Sequence, residues 1–213
     1  MTNILHNQEL MMLISRAIVL LVCFPVHECA HAWAADRLGD DTGRRMGRIS
    51  LNPVRHLDFM GTVCILLIGV GYAKPVPVNT RNFRHRKRDF ALTALAGPLS
   101  NLVMAVLFLL LIRSRIYLRL PAAYAQAAGM LLLYASYINV SLAVFNLLPV
   151  PPLDGSRVLT ALLPDKAYDG VMRKERYIMG ILMVAIMSLN RIGYSPVGLL
   201  TERVFEVLEN LIL

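Results

Sequence analysis

Between Phe90 and Ile112, and again between Leu120 and Leu153, the chain carries no formal charge. Each run is longer than the roughly 20 residues that a helix needs to cross a bilayer. An ordinary soluble domain carries about 25% charged residues; this chain has 17%, with 56% apolar residues. The pattern predicts an all-α polytopic membrane protein and excludes disorder, coiled coil and collagen. A length of 213 residues leaves room for about four to six apolar elements with short connections, and none for a separate large soluble domain. The expected organisation is one domain over residues 1–213, with a core of about 9–163 and a helical C-terminal extension of about 164–213.

The formal charge of +8 does not imply a nucleic-acid partner, because the basic residues lie between the apolar runs and form no single tract. Clusters at 37–55, 74–88 and 166–176 contrast with the connection holding Arg113, Arg115 and Arg119. The positive-inside rule places the three clusters in the cytoplasm and that connection outside. A multi-pass protein of the cell membrane is expected, with the lipid bilayer as its solvent. Cys23, Cys29 and Cys64 show no CxxC spacing and read as reduced packing residues. The first apolar segment lacks a basic n-region and a small-residue cleavage site, so it reads as a retained segment.

Three core transmembrane helices are predicted: residues 9–35, residues 90–112, and one within 125–148. Pro25 should bend the first. Residues 59–79 are too short and too rich in glycine and proline for a fourth span of this kind. They read as a re-entrant or β-hairpin element, with 73–79 extended; such backbone is tolerated at membrane depth only inside protein or facing water. Residues 177–190 form a shorter apolar segment, either a fourth span extended by 192–201 or a shorter helix. From Val197 onward, Leu200, Val204, Leu208, Leu211 and Ile212 follow helical spacing opposite Glu202, Glu206 and Glu209. That amphipathic helix suits the membrane interface, a second copy of the chain or a regulatory membrane partner.

The chemistry concentrates at His27-Glu28-Cys29-Ala30-His31, an HExxH motif. On a helix, residues four apart share a face, so both imidazoles can hold one metal while Glu28 reaches a water beside it. Two histidines and a carboxylate in a membrane span are costly unless paired or metal-bound. Catalytic zinc needs a third protein ligand and an open fourth position. Asp154 is the best candidate, because three alternating spans bring the end of the first and the end of the third to one face. His56 is an alternative ligand. Asp36, Asp40 and Asp41 fall in the Arg-rich loop, Asp165, Asp169 and Glu175 lie farther from any span, and His6 and His85 occupy polar flanks.

With these residues in view, the chain resembles the site-2 protease family of intramembrane zinc metalloproteases, and its small bacterial members without PDZ or CBS domains most of all. The resemblance runs over nearly the whole chain. It rests on His27-Glu28-x-x-His31, on Leu51-Asn-Pro53 leading to Gly61-Thr62, and on Gly71 to Asn79 followed by Asn82-Phe-Arg84. It continues through Ala96-Gly-Pro-Leu-Ser-Asn101 and Asn146-Leu-Leu-Pro149 to Leu153-Asp-Gly155. Leu153 and Ser156 depart from the common signature without removing a group the reaction needs. The resemblance implies one Zn2+ per chain on His27, His31 and Asp154, Glu28 as general acid and base, and Asn146 binding the substrate carbonyl. For Asn146, a hydrogen bond between helices is the competing reading.

The implied activity is hydrolysis of peptide bonds in or near transmembrane segments of membrane-anchored proteins, at a site toward the cytoplasm. A transmembrane substrate hides its peptide bonds in a helix and must unwind first, and residues 71–79 are the expected edge for strand addition. Two rivals are a catalytically silent relative that binds membrane proteins and a metal transporter using the same ligands.

Overall fold

The computed structural model describes residues 2–61, 63, 74–164, 167, 170, 173–191, 193 and 195–213. Helix α1 (Thr2–Ile18) passes through a π-helical turn at Val19–Cys23 into α2 (Phe24–Arg37), and α3 (Thr42–Arg45) follows after a short turn. The long helices α4 (Arg86–Arg113) and α5 (Ala122–Asn146) come next, then α6 (Asp154–Ala161), α7 (Glu175–Arg191) and α8 (Pro196–Ile212). Among the described residues, three stretches are long and apolar enough to cross a membrane: Leu10–Arg37, Arg86–Arg113 and Tyr124–Asn146. These are the three predicted spans, and the chain is a multi-pass membrane protein.

Packing is arranged for lipid on the outside. Where helices meet, the buried residues are small: Ala91, Ala94, Gly97 and Ala105 on α4, and Ala135 and Ala143 on α5. Small side chains let helix backbones approach closely, which is the main source of cohesion when lipid is as apolar as leucine. The large apolar residues point outward, among them Leu21, Leu99, Val103, Leu107 and Leu110. Hydrogen bonds between helices add to the packing: Ser136 Oγ donates to the Ala105 carbonyl at 3.0 Å, and Asn139 Nδ2 donates to Cys23 Sγ at 3.2 Å.

The expected bend at Pro25 takes the form of the π turn. Proline has no N–H, and its ring collides with the carbonyl four residues back in a regular helix. Widening the preceding turn relieves that collision, and the Phe24 N–H bonds to the Val19 carbonyl. One inserted residue also rotates everything after it by about 100° relative to the first half of the span. The HExxH face is therefore aimed at α4.

The stretch 59–79 was expected to be re-entrant or hairpin-like, and most of it, including Cys64 and Gly71, lies outside the described residues. Its two ends meet. The Lys74 N–H donates to the His56 carbonyl at 2.9 Å. The buried Arg48 guanidinium donates to the carbonyls of Arg55 and Lys74, and to that of Pro75 at 2.7 Å. Residues 74–79 form no regular structure, and no β-strand is present among the described residues. Their far end is pinned by Asp40, which is fully buried and accepts from the Asn79 N–H at 2.7 Å, Asn82 Nδ2 at 2.8 Å and Thr42 Oγ1 at 2.5 Å.

The C-terminal part differs from expectation in its use. Helix α7 has 17 residues, about 25 Å at 1.5 Å per residue, which is short of a bilayer core. Part of the apolar stripe of α8 is used within the chain, while Leu200 and Leu211 stay exposed. Val204, Phe205, Leu208 and Ile212 pack on a core of Ala105, Leu109 and Val140 from α4 and α5. Phe205 meets Tyr137 edge to face at 5.4 Å, and the Arg113 guanidinium donates to the Ile212 carbonyl. A stripe wide enough for a groove between two helices finds one within its own chain.

Burial raises the Asp40 carboxyl pKa, but the hydrogen bonds from Thr42, Asn79 and Asn82 outweigh it and hold it below the usual carboxylate range. A depressed folded value contributes stability that is present above the unfolded pKa of about 3.9 and fades as pH falls through the folded one. Asp40→Asn should therefore melt below wild type at neutral pH in detergent. That gap should narrow on acidification below about pH 4, and a gap independent of pH would contradict this account.

Candidate metal centre

His27 and His31 stand one above the other on α2, both buried at 6% and 8% exposure, with Glu28 between them at 7%. Their rings meet edge to face with centroids 4.6 Å apart. Helix α6 begins at Asp154 and delivers its carboxylate to the same point. Asp154 Oδ2 lies 3.4 Å from His27 Nε2 and 3.3 Å from His31 Nε2, and the two Nε2 atoms are 3.0 Å apart. Asp154 reaches this position because residues 147–153 reverse the chain after α5. Gly155 then lets α6 press against the end of α5: a Cβ there would fall 2.7 Å from the Leu148 carbonyl oxygen and closer still to that of Leu147. Ser156 is fully buried and its hydroxyl donates to the Leu153 carbonyl at 2.7 Å.

The donor set fits a zinc ion. Tetrahedral ligands at about 2.0–2.1 Å from zinc are separated from one another by about 3.3 Å. The three separations observed match that figure to within a few tenths of an ångström. Protonation agrees. His31 Nδ1 lies 2.8 Å from the Thr93 carbonyl oxygen, which can only accept, so Nδ1 carries the proton and Nε2 presents its lone pair to the centre. His27 Nδ1 and Asp154 Oδ2 are buried without a hydrogen-bond partner. A cation among the three donors satisfies Asp154 Oδ2 and explains why two Nε2 atoms and a carboxylate converge.

Helix α4 closes the other side. Gly97 faces the imidazoles, and a Cβ there would lie 2.6 Å from His27 Cε1 and nearer still to His31. In the sequence, Ala96-Gly-Pro-Leu-Ser-Asn101 reads as close helix packing; the surface Gly97 approaches is the imidazole pair itself. The Thr93 carbonyl, being backbone, leaves no sequence signal.

Other candidates fall elsewhere. His56 is fully buried, but its Nε2 donates to the Ser50 carbonyl at 2.7 Å and it is not part of the three-residue group. Asp36 pairs with Arg44, and Asp41 with Arg45 at 2.6 Å. The His85 N–H donates to Asp89 Oδ2 at 2.8 Å at the start of α4. Asn146 is half-buried at the last turn of α5, on the stretch that reverses toward Asp154. The sequence places Asp40 in the Arg-rich loop without a role, and does not single out Arg48. Their charges read as part of a solvated basic loop, and only the tertiary structure shows both buried.

The sequence profile of peptidase family M50 matches residues 15–118 and 114–189. The chain is 38% identical to "Putative zinc metalloprotease YwhC" of Bacillus subtilis over 178 residues, covering 83% of this chain and 80% of that one. It is 30% identical over 181 residues to "Putative zinc metalloprotease Rip2" of Mycolicibacterium smegmatis, covering 80% and 66%. An archaeal relative, "Putative zinc metalloprotease MJ0611" of Methanocaldococcus jannaschii, is 31% identical over 100 residues, covering 47% and 49%. No solved structure matches the chain. The chain belongs to peptidase family M50, the site-2 protease family of metalloproteases.

Gly97→Ala should keep the helical fold yet displace the imidazoles. Metal analysis after gel filtration should find zinc depleted at least tenfold relative to wild type. A full complement of zinc would show that the contact is not tight.

Proposed function

We propose that the chain is an intramembrane zinc endopeptidase that hydrolyses peptide bonds in or near transmembrane segments of membrane-anchored proteins. The observation that carries this reading is the convergence of His27, His31 and Asp154 at the end of a span-capable helix, with Glu28 buried beside them. One zinc per chain, held by those three residues, would supply Lewis acidity to a water and to the scissile carbonyl. Glu28 takes a proton from the attacking water and delivers it to the leaving amide nitrogen. No covalent enzyme intermediate is needed. Asn146, where α5 ends, donates from its side-chain amide to the oxygen that gains charge.

The basic clusters flanking the spans favour a site toward the cytoplasm, in the cell membrane. Residues 71–79 are assigned to hold the unwound substrate backbone by strand addition, as the edge of a re-entrant hairpin. Three observations support the described part of this segment. Arg48 and Asp40 anchor 74–79 at both ends. Pro75 and Pro77 remove alternate N–H groups and leave those of Val76 and Val78. Val76 also lies near the zinc helix, since a Cβ on Gly43 would touch both Ala32 Cβ at 3.3 Å and Val76 Cγ1 at 3.6 Å. The whole chain acts as one protease domain, its core ending near residue 163, with a transmembrane protein as substrate and a second copy or regulatory membrane protein as potential partner.

Two tests follow from these assignments. Glu28→Gln should abolish cleavage of a membrane-anchored substrate while keeping bound zinc, and Asn146→Ala should lower kcat by about 10²-fold. Retained cleavage in Glu28→Gln would remove the proposed acid-base role. Cysteines or photoreactive groups at 74–79 should crosslink to a bound substrate, and failure at every position would remove the strand-addition role.

A further inference from the structure

The metal reading leaves one atom unexplained. His31 is oriented by the Thr93 carbonyl, but Nδ1 of His27 is buried with no partner. If Nε2 of His27 faces the metal, Nδ1 carries the proton and needs an acceptor, because ligand histidines are held by a hydrogen bond from their second nitrogen. We propose that this acceptor is the side chain of Asn101, directly or through one water, and that Asn101 is therefore the positioning residue for His27. The inference rests on the zinc reading above.

Asn101 is 2% exposed, and its Oδ1 is buried without a hydrogen-bond partner. It lies on α4 four residues, about one turn, beyond Gly97, the residue that approaches His27 Cε1. Cε1 sits between Nδ1 and Nε2 in the ring, so with Nε2 turned to the metal this edge of His27 borders α4. Helix α4 runs antiparallel to α2: Thr93 lies level with His31, and Asn101 comes at the His27 end. Side chains on a helix tilt toward its N-terminus, so the Asn101 amide leans back toward Gly97 and the imidazole. Thr93 and Asn101 then form a pair of acceptors on one helix face, one for each histidine.

A second buried amide oxygen, Oδ1 of Asn139, also lacks a partner. It is the weaker candidate. Its amide is already engaged by Cys23 Sγ and by the Ala135 carbonyl at 2.8 Å. Helix α5 runs in the same direction as α2, so the same tilt carries the Asn139 side chain away from His27.

The test is zinc affinity by chelator competition on full-length protein in detergent, with gel filtration to confirm the folded state. The Co2+-substituted protein is followed in parallel through its visible absorption. Asn101→Ala should weaken zinc binding about 10- to 100-fold and alter the cobalt spectrum. Asn101→Asp, which keeps an acceptor oxygen, should stay near wild type, and Asn139→Ala should leave the cobalt spectrum unchanged. Wild-type affinity and spectrum in Asn101→Ala would overturn the inference while leaving the zinc site standing, as would equal losses in the alanine and aspartate variants. Failure of wild type itself to take up zinc would overturn the metal reading and this inference together.

Discussion

The structure depends on the contact between α2 and α4, where Gly97 and the Thr93 carbonyl meet two imidazoles. Two histidines and a carboxylate buried in a membrane helix would each cost several kcal/mol if left without partners. The α4 face answers that cost locally, with a backbone acceptor for one ring and room for both. Much of the remaining architecture serves this contact. The π turn before Pro25 rotates the HExxH face toward α4, small residues let α4 and α5 close around it, and Gly155 lets α6 bring Asp154 across.

A second feature organises the basic end of the molecule. Arg48 and Asp40 are buried charges that bind backbone groups at the two ends of residues 74–79. Their hydrogen bonds fix a segment that forms no regular structure of its own. Among the described residues, these hydrogen bonds lie toward the two ends of the segment, and strand addition by a substrate would use the N–H groups between them.

How far all this could be read in advance depends on the kind of interaction. The spans were legible because lipid demands long uncharged runs, and Phe90–Ile112 and Leu120–Leu153 show them directly. His27 and His31 were legible because helical spacing puts them on one face, and Asp154 because alternating spans return it to the same end. The roles of Gly97 and Thr93 were not, since one acts by lacking a side chain and the other through its carbonyl. Arg48 and Asp40 were hidden for another reason: a charged residue in a basic loop looks solvated until the loop folds over it. The α8 stripe was visible as amphipathic, but periodicity alone does not say whether a stripe meets a membrane surface or a groove in its own chain.

X-ray absorption at the zinc edge of the purified protein tests the central claim most directly. The account predicts one zinc per chain, with nitrogen and oxygen ligands at about 2.0–2.2 Å and more distant scattering from two imidazoles. Absence of zinc after preparation in metal-replete medium would contradict it. So would sulfur scattering at about 2.3 Å, which would move the metal from His27, His31 and Asp154 to the cysteines.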